Sequence, residues 1–152
     1  MKENRKSHRT SFEYSEDRAR NLLEVFNREF EICDCLGMMD VLRIVVNCPA
    51  RRFWVSEERA FRVVSSMYRR PLPATCHPLK REMYEEIKRR CELLLETHPH
   101  WPLSRRVFYV VSHEAPKFYM ALSTAHLTLA KARRVQGVEN MQRLHQMLRV
   151  AS

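Results

Sequence analysis

Arg52-Phe53-Trp54-Val55-Ser56 returns 65 positions later as Lys117-Phe118-Tyr119-Met120-Ala121. In each copy a cation precedes an aromatic pair, an apolar residue and a small residue at which a helix can start. The match continues on both sides at the same offset. Ile44-Val45-Val46 stands against Tyr109-Val110-Val111, Ala50 against Ala115, Ala60 against Ala125, Val64 against Leu129 and Arg69 against Arg134. Self-similarity at a fixed spacing is the mark of a repeated structural unit. The chain reads as two copies of one small unit, offering two equivalent surfaces.

Outward from that stretch, the apolar spacing is helical. Only two glycines interrupt 152 residues, 45% of them hydrophobic, and the dense Leu, Met, Arg and Glu usage favours helices joined by short connections. Residues 1–15 read as a flexible basic arm carrying Lys2, Arg5, Lys6, His8 and Arg9. A first helix is expected from Ser15 or Asp17, burying Leu22, Leu23, Phe26 and Phe30 and stopping by Gly37, the residue best able to take a left-handed C-terminal conformation. A short helix over Met38 to Val46 ends at Asn47-Cys48-Pro49. Ser56, followed by Glu57 and Glu58, caps a third helix that buries Ala60, Val63, Val64 and Met67.

The prolines of residues 71–78 form a linker, and the second copy repeats the plan. Helices are expected from Leu79 to Glu96, Ser104 to Ser112 and Ala121 to Arg134, with Met83, Ile87, Cys91 and Leu94 facing inward. Gly137 should end the last of these, and a separate helix from Val138 to Val150 should follow. The expected fold is all-α: two tandem three-helix, helix-turn-helix-like units over 16–70 and 79–135, sharing a core, plus a C-terminal helix over 136–152.

Arg52-Phe-Trp-Val-Ser-Glu-Glu-Arg-Ala60, Pro78-Leu-Lys-Arg-Glu-Met-Tyr-Glu-Glu-Ile87 and Ala115-Pro-Lys-Phe-Tyr119 resemble a group of small uncharacterised proteins from Bacteroides-type bacteria. The likeness covers about residues 38 to 134. It implies no activity, so no catalytic residue is carried across. Where that group tends to read Thr-Pro-Gly-Ser-Ala after the second aromatic pair, this chain has Ala121-Leu-Ser-Thr-Ala125, a departure that removes a proline and a glycine at a helix start.

The charge narrows the choice of partner. Lys and Arg outnumber Asp and Glu by 27 to 18, a formal charge of +9. Residues 1–76 hold 14 basic and 11 acidic side chains and residues 77–152 hold 13 and 7, so the excess is +3 and +6. A basic chain of helical units suggests an anionic partner. The nucleic-acid-binding candidates are Arg51, Arg52, Arg59, Arg62, Arg69 and Arg70 in the first copy and Lys117, Lys131, Arg133 and Arg134 in the second, with Trp54 and Tyr119 as stacking or partner contacts. The link from Asn47 to Val55 is longer than a standard helix-turn-helix turn, and Glu57 and Glu58 would repel phosphate at the end of the helix that usually approaches DNA.

Other chemistry finds less support. Two glycines leave no room for a phosphate loop, and no nucleophile elbow or metalloprotease helix is present. Cys33-x-Cys35, Cys76-His77 and His98-x-His100 lack the spacing of a zinc ribbon or finger, so neither metal nor cofactor is expected. Five cysteines at irregular positions suit reduced thiols. Residues 1–17 are too polar for a secretory signal, and no apolar run reaches the roughly 18 residues of a membrane span. The expectation is a cytoplasmic, non-enzymatic DNA-binding protein, such as a regulator on a bacterial mobile element. The alternative is a protein adaptor with no nucleic-acid role.

Overall fold

A computed structural model describes residues 3–151, with side chains over 14–151. Among the described residues there are six helices and no strand: α1 (Glu3–Ile32), α2 (Met38–Val46), α3 (Glu57–Met67), α4 (Pro78–Thr97), α5 (Leu103–Val111) and α6 (Leu122–Ala151). Local chemistry explains the starts. The Ser56 side chain accepts the N–H of Arg59 to open α3, and Glu57 and Glu58 occupy its first turn. At α4 the His77 side chain accepts the N–H of Leu79, and Pro78 sits at the first helical position, where a missing N–H costs nothing.

The packing order differs from the chain order. α1, α2 and α6 all contact one another, and so do α3, α4 and α5. Replacing α1 by α4, α2 by α5 and α3 by α6, and the reverse, turns one set into the other. The third helix of the expected first unit therefore packs on the first two helices of the second unit, and the third helix of the second unit on the first two of the first. The buried side chains of both sets make one continuous cluster, with Phe26, Phe53, Leu22, Leu42, Ile87 and Leu129 among its largest members.

Between the sets, the links 47–56 and 112–121 pass antiparallel. The N–H of Ala50 donates to the carbonyl of Ala115 and the N–H of Ala115 to that of Ala50, each at 3.0 Å. The N–H of Phe53 donates to Val111 and that of Phe118 to Val46, each at 3.1 Å. Each pair is related by the 65-residue offset of the sequence match. Phe53 and Phe118 are both buried, at 0% and 4% exposure.

Several expectations are corrected. α1 begins at Glu3, ahead of Ser15. Lys2, and the side chains of Arg5, Lys6, His8 and Arg9, fall outside the described residues. Gly37 caps the start of α2 with φ −70° and ψ 163°, an extended backbone rather than a left-handed one. Phe30 is 49% exposed, because α1 packs on α2 and α6 through Leu22, Leu23, Val25 and Phe26, and the Phe30 ring stacks on the edge of that surface against Phe26. Gly137 does not end a helix: α6 runs through it to Ala151, and among the described residues no separate C-terminal helix exists. A single glycine costs a helix only about 1 kcal/mol, which flanking good helix formers absorb.

Candidate nucleic-acid interface

The cation before each aromatic pair is turned inward. Arg52 donates to the carbonyls of Phe53 (3.1 Å) and Val55 (3.2 Å), pairs with Glu57 at 3.7 Å, and lies over the rings of Tyr14 (4.4 Å) and Trp54 (5.7 Å). With 16% of its side chain exposed, it fastens the link to α1 and α3. Trp54 lies partly buried beside it, its indole N–H donating to Asn21 Oδ1 at 3.2 Å. That same oxygen accepts the Arg51 N–H at 2.9 Å, so one buried asparagine fixes both residues. Lys117, the counterpart of Arg52, pairs with Glu82 on α4 and sits 5.5 Å above the Tyr119 ring. Tyr119 in turn stacks on Phe53 at 5.9 Å, so its face is occupied within the protein. Burial, with the carboxylates of Glu86 and Glu82 adding to it, pushes the Tyr119 phenol up to about 12.

The second-copy cations turn to different neighbours. Lys117 lies against α4, whereas Lys131 donates to Ser15 Oγ on α1 at 3.3 Å, and the Arg133 guanidinium lies 5.0 Å over the Phe26 ring and reaches Met38 Sδ. Arg134 is exposed on α6. Tertiary packing sets these partners, and no sequence spacing signals it.

The first-copy cations on α3 behave differently. Spacings of three and four residues set Arg59, Arg62 and Ser66 on one face, opposite the buried Ala60 and Val64. Arg69 and Arg70 follow just past the C-cap Tyr68. All four arginines are exposed and make no ion pair among the described residues. Glu57, expected to repel phosphate, is held inward by the Tyr14 hydroxyl at 3.0 Å and by Arg52, which leaves Glu58 as the one outward acid of the first turn. Arg51 is exposed but pairs with Glu24 at 2.7 Å. On α6 the positions equivalent to Arg59, Arg62, Ser66 and Arg69 are Thr124, Leu127, Lys131 and Arg134, a mixed face with Leu127 70% exposed.

Sequence reasoning passed over two groups. One is an exposed row of rings on α5 and the turn before it, described below. The other is Arg18, whose Nε is buried without a partner, and whose guanidinium is pushed below its ordinary pKa by burial. Among the described residues no three His, Cys, Asp or Glu side chains gather as metal ligands would, and no helix is long and apolar enough to cross a membrane. No protein-family model matches the chain, and no curated protein or solved structure matches it either.

Proposed function

We propose that the protein is a non-enzymatic DNA-binding protein that presents the outer face of α3 to duplex phosphates. The observation that carries this reading is the set Arg59 and Arg62 on α3 with Arg69 and Arg70 just past its C-cap, exposed and without ion pairs among the described residues, in a chain with a formal charge of +9. Uncompensated arginines on a rigid helix are the groups that displace counterions from a duplex. A role as a regulator on a bacterial mobile element accords with this chemistry. We further infer that the chain arose by duplication of a three-helix unit whose third helices became exchanged. The paired hydrogen bonds of the links and the matched helix packing support that history.

Fluorescence anisotropy with a labelled DNA duplex tests the reading. Arg59→Gln, Arg62→Gln and Arg69→Gln together should weaken binding at low salt by about a hundredfold and flatten the salt slope by about two to three. A folded triple variant that binds as the wild type does would remove α3 from the interface. Wild-type protein that binds no duplex at low salt would reject the DNA reading. The adaptor reading has one observation in its favour, the exposed apolar residues Val138, Met141, Leu144 and Met147 along the last turns of α6.

A further inference from the structure

The connection from α4 to α5 and the outer face of α5 carry a continuous row of flat groups. The His98 ring lies 4.0 Å from Trp101, the Arg105 guanidinium lies 4.3 Å over Trp101, Tyr109 meets Trp101 edge-on at 5.6 Å, and His113 stacks on Tyr109 at 4.1 Å. Tyr109 is 43% exposed, Arg105 and His113 are exposed, and none of these groups belongs to the hydrophobic core.

The other half of the chain shows that the fold does not need this row. At the same 65-residue offset it has Cys33, Leu36, Asp40, Ile44 and Cys48, with no ring and no cation, and its helices pack in the same way. Beneath the row lies Arg106, 9% exposed, donating to the carbonyls of Trp101 (3.3 Å) and Cys91 (3.0 Å), with no carboxylate partner among the described residues. Its counterpart is the fully buried Val41. This half therefore carries a stack of rings, exposed at Tyr109 and His113 and part-buried at His98 and Trp101, together with a buried cation that fixes the backbone of Trp101 and adds positive potential behind it.

We propose that this row is a stacking platform for unpaired bases of single-stranded nucleic acid. A base enters the row at the exposed ring of Tyr109, beside a Trp101 whose faces are held by His98 and Arg105, and its phosphate meets Arg105. Flat rings interleaved with cations suit a ligand made of flat bases on an anionic backbone, and every base has a face to stack. The site is separate from the α3 arginines and does not rest on that reading.

The chain has two tryptophans, so a Trp54→Phe background makes Trp101 the reporter. Titration of the full chain with oligothymidylate should quench its emission in a saturable, salt-dependent way. Tyr109→Ala and Arg105→Gln, each checked for an unchanged thermal midpoint, should weaken that binding by about five- to a hundredfold. Absence of quenching at low salt, or a folded Tyr109→Ala variant that binds oligothymidylate as tightly as its parent, would overturn the proposal. Quenching by a proline-rich peptide and not by oligothymidylate would assign the row to a protein partner and overturn it equally. Duplex binding is measured in parallel, so its loss with quenching intact rejects the α3 reading and leaves this one standing.

Discussion

Phe53 is the side chain on which most of the central contacts meet: its ring is fully buried, stacks on Tyr119 and lies beneath the Arg90 guanidinium, while its N–H ties the first link to Val111. Phe53→Ala should cost roughly 3 to 5 kcal/mol in chemical denaturation, since the cavity opens where neither link can collapse. Tyr119 gives a second test. In the unfolded chain its phenol ionises near the ordinary 10.0, and in the folded protein at about 12, chiefly because of burial. The stability involved is present below pH 10 and is lost as pH rises toward 12, because only the unfolded chain releases the proton in that window. A Tyr119→Phe variant should lose less stability than wild type across that range in urea melts, and parallel curves would show that this phenol is not the cause. The same residue has φ 53°, a left-handed backbone uncommon outside glycine and asparagine, which the surrounding contacts must hold in place. The order of cation and rings was legible in the sequence. Where Arg52 and Lys117 point was not, because their partners Tyr14, Glu57 and Glu82 are set by tertiary packing.

At the scale of elements, the local signals that decided correctly were those with a hydrogen bond or a lost one behind them. Met38 and Val46 bound α2 as its apolar spacing and the following Asn-Cys-Pro require, and Ser56 opens α3 by capping it. The first helix does stop before Gly37, though that glycine is extended, and Gly137 misled, since glycine's freedom permits a helix end without compelling one. Gly137 lies inside the 30-residue α6, its φ is not positive, and a Cβ there would meet nothing within 4 Å. Gly137→Ala should accordingly raise stability by about 0.5 to 1 kcal/mol, or at least the helical content of α6, as read by circular dichroism during thermal unfolding. A destabilised variant would show that the helix bends or opens at that point.

For the whole molecule, the all-helical plan was visible in the sequence while the packing of α3 on α4 and α5, and of α6 on α1 and α2, was not, since periodicity states which face of a helix is apolar and not which neighbour covers it. This packing makes a specific forecast. A protease site placed between Ala74 and Thr75, both exposed in the linker, should yield on cleavage two fragments that elute together under native conditions, because each supplies a helix to the bundle of the other. Separate elution without denaturant would contradict the interlocked packing. The interlock also orders events during synthesis. α3, α4 and α5 are neighbours in the chain and can close their bundle as soon as Val111 has emerged, but α1 and α2 wait for α6, which is made after the other five helices. The apolar surface of α1 and α2, with Leu22, Phe26, Leu42 and Val45, thus stays uncovered until α6 emerges, and slow translation between α2 and α6 would lengthen the time in which it can be captured by a chaperone or by another nascent chain.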